Sequence, residues 1–509
     1  MKIETTVPTE QIVSIQETLR PALPLILGCH EYHEQVAHLK RTNRILIRSG
    51  IQSLFVRLSL EEYEAKMAAE GKKVEGWMKS RYAKKSEQAL RCNLLRSTLG
   101  ESFRGISKRL AECPLFREFC QLDEFEKVRI PGKSMLQEYE NWLPLEKMKQ
   151  VLDALTLALG DEKKAEEIGL EKALEMEIAY IDTTCLEANI HFPADWILMR
   201  DAVRGLIKSI LTTRRHGLKK KMPEPSSFIK EMNSLCIAMS AAGRKPESKK
   251  LKKDTLRLMK RLTNVVRGHA KRYRAALDQE WAKTDLTRKQ AEVILRRIDS
   301  ILTQLPEAMR QAHERIIGER KIASAKKILS LHESDIHVIN RGKHGAQIEF
   351  GNTLLLAEES SGYILAHELL KEYSPGDAKL LIKNCDQLQR VTNNRLTSLS
   401  ADRQFCSAGT TKLLVGKNIY NGICPKDPKK LSEQMKEEDQ RLKKLLRRRA
   451  QTEARIGILK NIFLQKTPKA KGYEHRAMQV TWAVLAHNLW VVARRGRWKE
   501  EEEIIPLTA

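Results

Sequence analysis

The 509 residues carry 91 Lys and Arg against 65 Asp and Glu, a net charge of +26, with 41% hydrophobic and only 5% aromatic residues. That apolar content excludes a disordered chain, the length accommodates several domains of about 150 residues each, and the weight of Leu, Ala, Lys, Arg and Glu favours helix over an all-β design. A field of this sign attracts polyanions, which favours nucleic acid over the ordinary alternatives of a ribosome-associated factor or a membrane-surface protein.

Residues 1–160 read as a helical domain with polar turns and no strand-like alternation, assigned to DNA binding. Apolar residues recur at helical spacing from Glu87 to Leu122, and the turn Ile130-Pro131-Gly132-Lys133-Ser134 leads to a short helix over Met135–Trp142 with Ser134 as its cap. Helix, short turn, helix in a basic chain fits a helix-turn-helix reader of DNA, and equally an ordinary helical bundle. At Ile178-Ala179-Tyr180-Ile181-Asp182-Thr183-Thr184-Cys185 the texture turns β-branched and aromatic, predicting a buried strand that ends near Asp182, a turn, and a second short strand into Ile190.

Helix returns from Trp196 to Leu329 as a basic block, assigned to 201–329. Between Arg244 and Arg274 stand 13 Lys or Arg against Glu247 and Asp254 alone. Leu258, Leu262, Val265, His269 and Ala276 form the predicted packing stripe, and the remaining faces carry charge. Such a block is either a solvated hairpin or a surface for the DNA backbone, and the one-sided surplus favours DNA. Strands are predicted at Asp335–Asn340, Gln347–Leu356, Tyr363–Glu368, Leu396–Leu399 and Asn418–Cys424. Helices fall at Asp377–Leu388 and Thr410–Gly416, a long charged helix runs from Leu431 past Glu453, and an apolar helix closes the chain at Met478–Ala493. Without the basic block this order describes an α/β protein with a mixed sheet, the block being inserted between early strands.

Three carboxylates stand where such a sheet can gather them: Asp182 at a strand end, Asp402 after the strand Leu396–Leu399, and Glu453 on the charged helix. Strand-end carboxylates joined by one from a packed helix can bracket two divalent ions, and hard oxygen donors suit magnesium or manganese. A single Asp near a strand end is more often a turn or cap residue. On a continuous helix Arg449, Glu453 and Lys460 fall at i, i+4 and i+11 and share one face, which suits a metal ligand beside a phosphate, or a solvated i, i+4 ion pair.

These residues resemble the DDE transposases of bacterial insertion sequences, in the branch with a Y-x2-R-x3-E-x6-K helix. Arg449, Glu453 and Lys460 match that signature, with Leu446 at the tyrosine position. Asp182-Thr183-Thr184, Glu187-Ala188-Asn189-Ile190 and Pro193-Ala194-Asp195 are similar to the first-aspartate block, and Glu349-Phe350-Gly351-Asn352 to an E-F-G-N strand. Ala401-Asp402-Arg403-Gln404-Phe405 is similar to the A-D-R-G-F/Y block, with Gln404 in place of glycine. Cys113–Cys120 loosely echoes the N-terminal helical core and Gln479–Leu489 the closing helix. The resemblance implies a ribonuclease-H-like catalytic domain over 170–200 and 330–495, an N-terminal helical DNA-binding domain over 1–160, and two magnesium or manganese ions on Asp182, Asp402 and Glu453. It implies phosphate contacts from Arg449 and Lys460, cleavage at terminal inverted repeats with strand transfer into target DNA, and action as a homodimer. A catalytically decayed DNA-binding relative, or a nuclease of the same fold without strand transfer, are the alternatives.

The nine cysteines are scattered without a CxxC pair and read as reduced core thiols, Met1–Thr6 has no secretory character, and the apolar run Val480–Ala493 is too short for a bilayer. A cytoplasmic, nucleoid-associated protein with no membrane and no nucleotide cofactor is therefore expected, since no Lys-Ser/Thr phosphate loop is present. Trp482 and Trp490 are expected to be core residues rather than base-stacking platforms.

Overall fold

The computed structural model describes residues 26–123, 127–243, 248–343, 346–429, 440–464 and 470–495, with Leu23, Ser432 and Trp498. Met1–Thr6, Arg244 and the three residues after it, and the start of the charged helix at Leu431 lie outside the described residues.

The N-terminal third is built by helices whose ends are marked locally. They are α1 (His30–Arg48), α2 (Ile51–Ala69), α3 (Gly76–Leu99), α4 (Phe103–Glu112), α5 (Pro114–Phe119), α6 (Lys133–Glu140), α7 (Leu145–Gly160) and α8 (Glu162–Ile168). Gly100 ends α3 in a left-handed conformation, and the Ser102 hydroxyl accepts from the Gly105 N–H to start α4. Gly132, not Ser134, is the cap of α6, because Lys133 and Ser134 are already helical and the capping residue must stand outside the helical dihedrals.

A six-stranded mixed sheet follows. Its strands are β1 (Ile178–Glu187), β2 (His337–Lys343), β3 (Ala346–Glu358), β4 (Ile364–Leu369), β5 (Ser398–Ala401) and β6 (Tyr420–Ile423), in the order β2-β3-β1-β5-β6 with β4 also on β3. β1, β2 and β4 run antiparallel to β3, whereas β5 is parallel to β1 and to β6. β2 and β4 share one edge of the long β3, which pairs with β2 up to Gly351 and with β4 from Leu354. The mixed α/β class expected from the sequence is the class observed. The helices α13 (Asp377–Val391) and α14 (Ala408–Gly416) lie between the last strands, and α15 (Gln440–Arg449), α16 (Thr452–Ile458) and α17 (Tyr473–Arg495) complete the chain.

Between β1 and β2 the basic block folds as α9 (Asp195–Arg215), α10 (Pro225–Ala241), α11 (Ser248–Glu280) and α12 (Arg288–Ala312), with α9 touching each of the other three. Its core, from Leu198 to Leu331, is separate from that of the sheet. The predicted stripe on α11 is corrected: Leu262, His269 and Ala276 are buried, but Leu258 and Val265 are each 49% exposed. The buried face runs instead through Leu256, Met259, Val266, Ala270, Tyr273 and Leu277. At about 100° per residue, Leu262 and His269 lie at the edge of that face and Leu258 and Val265 on its flank.

The N-terminal helices share a single core with the sheet through α17. Trp482 is fully buried against Phe55, donating to the Glu140 carbonyl at 2.9 Å, and Trp490 is half-buried. Asn488 accepts from the Ile364 N–H and donates to its carbonyl, supplying the edge strand β4 with the ladder partners it otherwise lacks. Among the described residues no helix is long and apolar enough to cross a membrane.

Candidate active site

β1 does not end at Asp182; it is one strand from Ile178 to Glu187, pairing with β3 throughout the second half. The change at Asp182 is on its other edge. The parallel pairing with β5 stops at Ile181↔Ala401, so Asp182 and Asp402 are the next residue on each of two adjacent strands. Parallel neighbours lie about 4.8 Å apart, which sets the two residues side by side along the backbone where the inter-strand ladder ends. The strand continues through Thr183 and Thr184 because β3 goes on pairing with it along the other edge.

Both aspartates are half-buried, and each accepts the following backbone N–H on Oδ1 at 2.7 Å: Asp182 from Thr183, Asp402 from Arg403. Asp402 is thereby the cap of the short turn Arg403–Phe405. The Thr183 hydroxyl donates to Asp377 Oδ1 at 3.2 Å, bringing a further carboxylate from the first turn of α13 to the same end of the sheet. Sequence reasoning missed Asp377, although Ser374-Pro375-Gly376 before it marks the start of a helix.

The predicted continuous helix through Glu453 is corrected. α15 ends at Arg449, Ala450 and Gln451 form a turn, α16 begins at Thr452, and a π-helical turn spans Leu459–Phe463. The i, i+4, i+11 register therefore does not hold Arg449, Glu453 and Lys460 on one helical face. Glu453 is exposed in the first turn of α16, Arg449 and Lys460 are half-buried, and buried Arg449 Nε has no hydrogen bond among the described residues.

What fixes this segment to the sheet is a polar lock. Glu358, opposite Tyr180 in the β1–β3 register, accepts on Oε1 from both Arg448 Nη2 and the Thr452 hydroxyl, each at 2.9 Å. Arg448 lies over the Tyr180 ring at 4.6 Å and donates to the Ser360 and Glu359 carbonyls. Burial raises the Glu359 carboxyl above its usual range, although it accepts from Ser361 and Tyr363. The lock thus spans the residue before Glu453 and the strand position two before Asp182. Gly362, at φ +98°, lets Arg455 close over the β3–β4 turn, since a Cβ there would stand 2.1 Å from Arg455 Nη1.

The strand Glu349–Asn352 does structural work. A Cβ on Gly351 would stand 2.0 Å from the Leu186 carbonyl, and Asn352 donates to the Asp335 and Leu370 carbonyls while accepting from fully buried Arg476. Asp195, 4% exposed, pairs at 2.8 Å with Arg315 and holds together the two ends of the helical block. Among the described residues no group of three or more His, Cys, Asp or Glu side chains stands close enough to hold a metal ion. No family model, curated protein or solved structure matches the chain.

Proposed function

We propose that the chain is a DDE-type DNA transposase with a ribonuclease-H-like catalytic domain, cutting element ends and joining them to target DNA. The observation that carries this is the parallel register of β1 and β5, which sets Asp182 and Asp402 on neighbouring strands at the point where their pairing ends. A sheet in which β1, β2 and β4 pair antiparallel with β3 and are continued by parallel β5 and β6, with an acid-bearing helix packed against β1, supports the fold reading.

The donor set fits a divalent ion: two half-buried carboxylates, all oxygen, beside a backbone that already satisfies one oxygen of each. Asp182 and Asp402, with Glu453, would hold magnesium or manganese, which when bound lowers the pKa of an attacking water or 3′-hydroxyl and stabilises the leaving oxygen. The Glu358–Arg448–Thr452 lock would set where Glu453, the residue after Thr452, stands relative to the pair. Arg449, whose buried Nε has no hydrogen bond among the described residues, and Lys460 would neutralise the adjacent phosphates.

The test is cleavage and joining of DNA carrying the gene's flanking sequences in magnesium, with wild type beside Asp182→Asn and Asp402→Asn. Repeat-end cleavage and joining by wild type alone is the expected result. Equal DNA binding by all three with no cleavage in magnesium or manganese would leave a DNA-binding protein without catalysis.

A further inference from the structure

Away from the carboxylates, the helical block carries a cavity of about 270 Å³ lined by Arg257, Lys260 and Arg261 of α11 and by His313 and Ile317. The last two belong to a π-helical turn, His313–Ile317, that continues α12. π turns add a residue to the ring and re-aim side chains, and they recur at functional positions. Here the turn is held from both sides. Arg315 is bonded to buried Asp195, and Glu319, in a left-handed conformation at φ 52°, pairs with Lys249 and Lys253 at 3.2 and 2.9 Å.

That arrangement divides the cations of α11 into two sets. Lys249 and Lys253 are neutralised by Glu319. One turn further on, Arg257 shares exposed Asp254, but among the described residues no carboxylate pairs with Lys260 or Arg261. Half-buried Lys260 instead donates to His313 Nδ1 at 3.3 Å. A ring nitrogen that accepts from an ammonium leaves Nε2–H as the donor of the imidazole, so the cavity is lined by guanidinium, ammonium and imidazole donors, of which only Arg257 has a paired carboxylate among the described residues. Two cations held together without a counter-charge repel each other, and a bound anion relieves that repulsion.

We propose that this cavity is a phosphate-binding site that takes a backbone phosphate of duplex DNA, a second anchoring point separate from the cleavage site. The occupant rests on the transposase reading; the anion chemistry does not. A phosphate offers acceptors in every direction to the forked guanidinium of Arg261 and the point charge of Lys260.

The experiment compares full-length wild type, Lys260→Gln/Arg261→Gln and the charge-matched control Lys289→Gln/Arg297→Gln, both of whose positions are exposed on α12. Binding to a fluorescent 30-base-pair duplex is measured in EDTA at increasing KCl. The cavity variant is expected to bind on the order of tenfold more weakly than the control at 0.15 M salt, with the slope of log K against log salt shallower by about one to two, at about 0.9 per phosphate contact. A cavity variant that tracks the control while wild type still cleaves in magnesium would overturn the site and leave the transposase reading intact. A shallower slope in a protein that cleaves nothing would keep the site and remove that reading. Pyrophosphate is the second probe: loss of its thermal stabilisation in the cavity variant, with duplex binding equal to the control, would assign the cavity to a free phosphate and overturn the DNA occupant.

Discussion

Asp182 and Asp402 are neighbours because β1 and β5 pair in parallel register up to Ile181↔Ala401, and the pairing stops just before them. Glu358 tests the lock next to them. Glu358→Gln keeps the shape but removes the charge that receives Arg448 and Thr452, and breaking one side of a buried pair costs about 3 kcal/mol or more. The expected outcome is a lower melting temperature, a cleavage rate down by at least about tenfold and a higher magnesium requirement, with duplex affinity unchanged. An unchanged magnesium requirement would make the lock purely structural. Asp153 gives a separate residue-scale prediction. Burial pushes its carboxyl up to about 6, against the pull of Arg390 and Lys149. A raised carboxyl stabilises the fold below its unfolded value and loses that contribution as pH rises through about 6. Asp153→Asn should therefore raise the melting temperature at pH 7.5, by roughly 1–3 kcal/mol of stability, and do little at pH 4.

At the scale of elements, Gly362 bears on how α16 docks, through its left-handed backbone and the space it leaves for Arg455. Gly362→Ala adds a Cβ where Arg455 packs and strains a left-handed backbone, so proteolysis near residues 440–464 should quicken and cleavage should fall while α9–α12 stay intact. Much of the element order is legible in the sequence. The β-branched run at Ile178, the alternation through Gln347–Leu356 and the turn before Asp377 each announce their element within a few residues. What is not legible is set by partners. Nothing local in Asp182–Thr183–Thr184 tells that the strand continues, because it continues by pairing with β3, far along the chain. The break at Ala450–Gln451 is equally silent, as both residues are good helix formers; the turn coincides with the capture of Arg448 and Thr452 by Glu358. The resemblance to DDE transposases named Arg449, Glu453 and Lys460 but not Arg448, whose role exists only once the strands are assembled.

For the molecule as a whole, charge and acid response follow from the same inventory. With a net +26, duplex binding should weaken steeply with salt whatever the DNA sequence, and a salt-independent affinity would exclude backbone contact as its source. His38, half-buried near Arg41 and Arg494, and His367, half-buried against Thr481, are both held down to about 4, chiefly by burial. A depressed histidine stabilises the fold above its unfolded value near 6.5 and loses that contribution as pH falls toward about 4. Melting temperature should therefore drop between pH 6.5 and 4, and His367→Gln should flatten that drop.

The helical block also has a bearing on how the chain reaches its native state. It separates β1 from β3, so that paired Asp182 and Leu356 are about 170 residues apart along the chain. If α9–α12 assemble first, the Asp195–Arg315 pair ties the two ends of that loop together and shortens the span left to close to about 50 residues, easing closure by on the order of 1 kcal/mol. The block is then a scaffold in time as well as in space: amides of α9–α12 should gain protection from hydrogen exchange before those of β1 and β3, and a ribosome that has released only the first 330 residues would already hold a finished bundle waiting for its sheet.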